Sequence, residues 1–200
     1  GRHPTAQVVS IASQLFLIDC GEGTQERLLE YKVKWFNIHH IFISHLHGDH
    51  YFGLIGLITT YNLLKRKQKL TIYAPSKLKD IVEIQLHVSN TILGYELVFE
   101  STKDDAFYKI FENEQVEVFS FPLQHRIPTT GFLLKEKEGE RKLQIEKVEH
   151  LDIEKTDYKL LKQGIDVADK IGNIIKAEDV TGAPHLIRSY TFCSDTMYDE

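Results

Sequence analysis

The sequence predicts a layered α/β sandwich in place of a doubly wound sheet. Three observations carry this: β-rich runs arrive in hairpins too often for a pure succession of βαβ units, strand–helix units are interleaved with them, and 42% apolar content over 200 residues suffices for one sizeable core. Val8-Val9-Ser10-Ile11 and Leu15-Phe16-Leu17-Ile18, separated by Ala12-Ser13-Gln14, read as a hairpin. Asp19-Cys20-Gly21-Glu22-Gly23 breaks the second strand, and Thr24 caps a short helix to about Tyr31. Ile41-Phe42-Ile43 is the core of a strand ending at Ser44, and Tyr51 to Leu64 reads as a helix in which Gly53 and Gly56 permit close packing. Leu70 to Ala74 is a strand stopped by Pro75, and Leu78, Ile81, Val82 and Leu86 give residues 76–88 the spacing of an amphipathic helix. Further strands fall near 96–100, 107–111, 116–122 and 130–135. Residues 136–188 change character, with dense mixed charge, a helix from Asp157 to Gln163 stopped by Gly164, and a hairpin centred on Gly172-Asn173. They read as an insertion or arm, after which 189–193 resumes a strand.

The chemistry is concentrated in Ser44-His45-Leu46-His47-Gly48-Asp49-His50, where His45, His47, Asp49 and His50 place four metal-ligand side chains within six positions directly after an apolar strand. Gly48 permits the turn that lets these groups converge. Imidazole together with carboxylate suits zinc, manganese or iron better than calcium or magnesium, which prefer all-oxygen shells.

The bulk composition narrows the partners. A net charge of −5 and a pI near 6.1 give no global attraction to nucleic acid or anionic membranes, so such a partner must use a local basic patch. The longest apolar stretch, Tyr51 to Leu64, has 14 residues and is too short to span a bilayer. No charged n-region with an apolar h-region opens the chain. Cys20 and Cys193 are far apart and lack zinc-finger spacing, which fits free thiols in a reducing, cytoplasmic compartment.

His-x-His-x-Asp-His after a strand is similar to the signature of the metallo-β-lactamase superfamily, which implies an αββα sandwich with one or two metals at the strand ends. Asp19-Cys20-Gly21-Glu22-Gly23-Thr24-Gln25, Pro122-Leu123-Gln124-His125-Arg126 and Phe192-Cys193-Ser194-Asp195-Thr196, with the histidine stretch, resemble the ribonuclease Z family. The likeness runs from Val8 to Asp195 and is loosest in the arm. Standing alone, His125 would read as an ordinary core or surface group, and Asp195 as an ordinary turn residue.

The resemblance implies one metallo-β-lactamase-like domain over 1–200 with an arm-like insertion about 141–188. It implies two zinc ions per subunit, with His45, His47 and His125 on one, Asp49 and His50 on the other, and Asp195 bridging both. Asp49 would be the catalytic proton acceptor. The reaction implied is endonucleolytic removal of the 3′ trailer from precursor tRNA, leaving a 3′-hydroxyl on the tRNA and a 5′-phosphate on the trailer. The partners implied are precursor tRNA and a second copy of the chain in a homodimer, without a membrane. Lys65, Arg66 and Lys67 stand as candidate substrate contacts, against the simpler reading of solvated cations at a helix C-terminus. The arm's nine Lys/Arg against nine Asp/Glu give no net basic signal, so its grip on tRNA follows from position alone.

A complete family member would begin with a strand and Gly-rich loop before Gly1. It would continue past Asp195 to a His-Glu motif and a further metal-binding histidine. The sequence is therefore read as incomplete at both ends, and the functional reading concerns the intact protein. Two alternatives remain: a hydrolase of small phosphodiesters or thioesters on the same fold, and a catalytically inactive RNA-binding or dimerisation partner. His39 and His40 are expected to face solvent or the sheet edge, and His3, His87, His150 and His185 have no ligand spacing.

Overall fold

A computed structural model describes residues 3–184 and 186–197, which fall into two compact units: residues 3–135 with 189–197, and Glu136–Arg188. His185 lies outside the described residues. In the first unit, β1 (Gln7–Ile11) and β2 (Gln14–Ile18) form an antiparallel hairpin. Its turn residues Ala12 and Ser13 both take positive φ, 47° and 61°, the geometry that matches the right-handed twist of hairpin strands. The chain continues through α1 (Thr24–Glu30), β3 (Ile38–Phe42), the short α2 (Gly48–Tyr51), α3 (Leu54–Leu63), β4 (Leu70–Ala74), α4 (Lys77–Val88) and β5 (Leu97–Ser101). Strands β2 to β5 are parallel neighbours, so the first sheet has the order β1-β2-β3-β4-β5.

The second sheet begins with β6 (Tyr108–Glu112), β7 (Val116–Leu123) and β8 (Thr129–Glu136). The chain then forms the second unit from α5 (Ile145–Val148), α6 (Asp157–Lys162), the hairpin β9 (Val167–Ala168) and β10 (Ile174–Ile175), and α7 (Ala177–Val180). Val148, Leu161, Val167, Ala177 and Val180 give that unit a small core of its own. The return strand β11 (Ser189–Phe192) pairs antiparallel with β8 and completes the order β11-β8-β7-β6.

Alternation along the central strands explains the layering. Leu17, Ile41, Ile43 and Ile72 point to one face and pack with Leu28, Leu54, Leu57, Ile58, Leu78 and Val82 from the helices. Phe16, Ile18, Phe42 and Tyr73 point to the other face, where Val118, Phe132, Leu134 and Phe192 of the second sheet meet them. Both faces of the first sheet are covered, which is why its strands read as near-continuous apolar runs. No described helix is long and apolar enough to cross a membrane.

The structure departs from expectation in three places. The helix expected over 51–64 is two pieces, α2 and α3, because the chain turns at Gly53 to lay its backbone against another loop. Gly23, in the left-handed region at φ 77°, precedes α1, while the Thr24 hydroxyl donates back to the Gly21 carbonyl at 2.7 Å. His40 is not solvent-facing: its ring lies 4.2 Å from Phe111 and about 6 Å from Phe16 and Tyr73 between the sheets, and its Nδ1 is buried without a partner.

Burial, together with the nearby charges of His39 and Lys69, pulls the His40 imidazole down to about 4. A folded value below the unfolded one means that the unfolded chain binds the proton first. The stability His40 permits is therefore complete above about pH 6.5 and is lost as pH falls towards 4. His40→Leu should lose less stability than the wild type between pH 7 and pH 5 in denaturant titrations; equal pH slopes would refute this assignment.

Candidate metal centre

The floor of the site is assembled from two loops that leave the same ends of the parallel strands β2 and β3. His125 and Asp195 come to it from the loops after β7 and β11 of the second sheet. Asp19 follows β2, with its backbone N–H on the Phe42 carbonyl at 2.8 Å. From there the segment runs beside the histidine loop: the Cys20 N–H donates to the His50 carbonyl at 2.7 Å and the Gly53 N–H to the Cys20 carbonyl at 2.9 Å. Thr5 enters the same seam, donating to the Asp49 carbonyl at 3.1 Å and accepting from the Gly21 N–H at 3.0 Å. Nothing larger than hydrogen fits there: a Cβ on Gly21 would stand 2.2 Å from the Asp49 oxygen, and one on Gly53 would stand 2.0 Å from the Gly21 oxygen. The Asp-Cys-Gly motif and the glycine after the histidines thus serve one backbone contact.

That contact delivers the Asp19 carboxylate beneath the histidines. Asp19 is fully buried at φ 57°, a conformation that aspartate tolerates better than most residues. Its oxygens accept from the Ser44 N–H at 2.8 Å, the Ser44 hydroxyl at 3.0 Å and His50 Nδ1 at 2.7 Å. Ser44 Oγ lies 3.0 Å from His45 Nδ1 and 2.8 Å from Ser194 Oγ. With Asp19 ionised and both protons of this chain directed towards it, His45 and His50 carry hydrogen on Nδ1, so that in the neutral ring the bare nitrogen is Nε2, the tautomer a metal requires.

Of the six residues proposed as ligands, four form one tight group. His45, His47, His125 and Asp195 each offer an atom within 4.8 Å of the others. His45 Nε2 lies 2.9 Å and His125 Nε2 3.3 Å from His47 Nδ1. His50 Nε2 is 3.7 Å from an Asp49 oxygen and 3.8 Å from Asp195 Oδ2, while His125 Nε2 is 3.9 Å from that same Asp195 oxygen. Asp195 therefore stands between His50 and the first group. Its loop is tied to that of His125 by the Met197 N–H on the Gln124 carbonyl at 2.7 Å.

Burial and the neighbouring positive imidazoles of His50 and His47 pull His45 down to about 4, leaving it neutral at neutral pH. For His50, burial pulls down, but Asp19, Asp49 and Asp195 together carry it above its ordinary value. Burial pushes the Asp19 carboxyl up against the pull of His50 and Ser44, so its ionised form depends on those donors. Three imidazoles and a carboxylate converging this closely fit a borderline divalent cation such as zinc.

The remaining candidates separate. Lys65 and Lys67 are exposed. Arg66 is corrected: it is 1% exposed, with its guanidinium donating to the carbonyls of Phe36, Ile38, Gln68 and Lys69 and lying 4.5 Å over the Tyr61 ring. It is an internal brace and is not available to a phosphate. His39 lies 3.0 Å from Arg66 and belongs to the same brace. Sequence reasoning missed Asp19, Ser44 and Ser194 as partners of the site. The available signal for Asp19 was an acid placed directly after the strand that neighbours the histidine strand. Cys20 is a buried free thiol, pushed up to about 12 by burial, and Cys193 is exposed and free.

Fold and donor cluster together define a protein of the metallo-β-lactamase fold. Residues 3–137 match the family described as Anti-Pycsar protein Apyc1, so the chain belongs to that family, and over nearly its whole length its homologues are proteins named Ribonuclease Z. Ribonuclease Z of Phocaeicola vulgatus is 38% identical over 198 residues, covering 98% of this chain and 64% of that protein. Ribonuclease Z of Cytophaga hutchinsonii is 42% identical over 201 residues, covering 100% and 64%. The chain thus spans just under two thirds of the length of these curated relatives. The crystal structure of human tRNase Z, short form, superposes with a TM-score of 0.60 at 34% identity, over 67% of this chain and 61% of that one. A long form RNase Z from yeast shares the fold at a TM-score of 0.52 and 16% identity, over 68% and 25% of the two chains.

Two measurements test the construction. Asp19→Asn, which keeps the shape but removes the charge that orders both imidazoles, should weaken zinc affinity about 10- to 100-fold in chelator competition; unchanged affinity would refute the positioning role. Gly53→Ala should lower unfolding free energy by about 1–3 kcal/mol because neither backbone at the seam can yield, and an unaltered denaturation midpoint would show the seam to be loose.

Proposed function

We propose that the protein is a zinc-dependent endoribonuclease that removes the 3′ trailer from precursor tRNA. The single observation that carries this reading is the extent of the likeness to Ribonuclease Z. It covers 98% of the chain and so includes the second unit, whereas the match to the family model stops at residue 137. His45, His47 and His125 would hold one ion, Asp49 and His50 the other, and Asp195 both. Zinc held there supplies Lewis acidity and brings the pKa of water towards 7.

The chain's own residues do the rest. Asp19 and Ser44 fix the imidazole tautomers, and the half-exposed Asp195 joins the two groups of donors. Asp49, whose side chain is 63% exposed, is free to accept the proton of the attacking water. The products are a tRNA 3′-hydroxyl and a trailer bearing a 5′-phosphate. The proposal includes a cytoplasmic homodimer in which residues 141–188 act as an arm towards tRNA.

A labelled precursor tRNA given to the protein at its natural length should be cut once, at the 3′ end of the acceptor stem. His47→Ala should abolish cleavage by at least about 10³-fold and lower zinc content in elemental analysis together. Retention of two zinc ions by that variant would refute the ligand assignment, and an uncut precursor at full metal loading would refute the tRNA assignment. Hydrolysis of bis(p-nitrophenyl) phosphate with no cut in the precursor would instead select the small-phosphodiester reading.

A further inference from the structure

Hollows reach the donor cluster from different sides of the first unit, and they are chemically unlike. One is walled by Asp49, His50 and Asp195 and is dominated by polar groups. Another, of about 550 Å³, opens on His47 and is mostly apolar. Its sides are Leu46 from the histidine loop, Pro75 at the end of β4, and Ile127-Pro128 from the turn before β8. Lys77, the first residue of α4, supplies a cation at the rim, and Asp104 an acceptor. Thr102 also lines the hollow, with its hydroxyl closed off from solvent.

We propose that this hollow seats one nucleoside of the RNA substrate, immediately beside the phosphodiester held at the donor cluster; the inference rests on the tRNA reading above. The volume lies within the range of small-ligand sites, and its make-up, apolar sides with a few polar groups, is the kind that orients a flat heterocycle. Proline rings and aliphatic side chains cover the faces of the base. Asp104, an acceptor, meets the donors of its edge. Lys77 pairs with the flanking phosphate, fixing the strand without reading its sequence. Because His47 is both a wall of the hollow and a member of the cluster, an occupant lies directly against the reacting phosphate.

The test uses the natural-length protein and three precursor tRNAs: unmodified, abasic at the nucleotide just 5′ of the cut, and abasic just 3′ of it. Ile127→Trp, which fills the half-buried wall, should lower kcat/KM about tenfold on the unmodified precursor. On one of the two abasic precursors the same substitution should change it by less than about twofold, because the base it displaces is already missing. Asp104→Asn, nearly the same shape, should show the same selective pattern at smaller size and decides the matter if Ile127→Trp fails to fold. Equal losses on all three RNAs, or no loss from either substitution, would overturn the subsite while leaving the tRNA reading intact. A wild-type protein that cuts none of the three would overturn the tRNA reading, and the subsite with it.

Discussion

Everything at the site depends on one backbone contact, the seam where Cys20 and Gly21 lie against Asp49, His50 and Gly53. Its hydrogen bonds of 2.7 to 2.9 Å join two loops that follow neighbouring parallel strands, and its glycines allow an approach that no side chain would survive. Parallel strands make this possible. They release both loops at the same edge of the sheet, where backbone groups no longer paired in the ladder are available to each other. The seam also fixes depth. It holds Asp19 fully buried and within 3.0 Å of three donors from the histidine loop, a position an acid would not adopt without those partners.

From that one carboxylate the polarity of the cluster follows by counting protons. An ionised carboxylate only accepts, so Ser44 and His50 must both donate to Asp19. Ser44 is then left to accept from His45 Nδ1, and the ring's other nitrogen is bare. His45 and His50 are thus set alike by a residue that touches no substrate. The neutral state of His45 at neutral pH serves the same end, since a protonated ring would have to release its proton before it could bind a cation. Ser194, 2.8 Å from Ser44, extends the network to the end of β11, so the histidine loop and the loop of Asp195 share one set of hydrogen bonds. A separate bond from the Met197 N–H to the Gln124 carbonyl ties in the loop of His125.

Much of this was legible in the residues. The alternation that divides Leu17 from Phe16 and Ile18 gives a sheet covered on both faces, and the ligand density after Ile43 marks the site without any knowledge of the fold. The illegible parts share a cause: each depends on a neighbour distant in sequence. Arg66 sits in a basic run and looks like surface. Only its closeness to the carbonyls of Phe36 and Ile38 turns it into a brace. His40 looks polar until Phe16, Tyr73 and Phe111 arrive from three other strands to enclose it. The break at Gly53 is set by the carbonyl of Gly21, thirty-two residues earlier in the chain. Periodicity is a local signal and carries none of these partnerships.

Charge places a further constraint on how the chain would meet a polyanion. The net charge is −5, residues 141–188 are balanced at nine cations to nine acids, and the most buried of the basic side chains after α3 is spent on backbone carbonyls. A protein so arranged has little long-range positive field with which to steer RNA, and what field it has decays over about 8 Å at physiological salt. On the proposed reading, recognition is therefore a short-range matter. It rests on metal ions held among His45, His47, His125 and Asp195, on the exposed Lys77 beside them, and on shape at the walls of the site. Lys65 and Lys67, by contrast, flank Arg66 at the opposite ends of β3 and β4. Binding built this way should depend less steeply on ionic strength than binding through a broad basic surface, because fewer counterions are released from the RNA. On that reading the ordered donor cluster sets where the RNA is cut, and what residues 141–188 add comes from position and not from net charge.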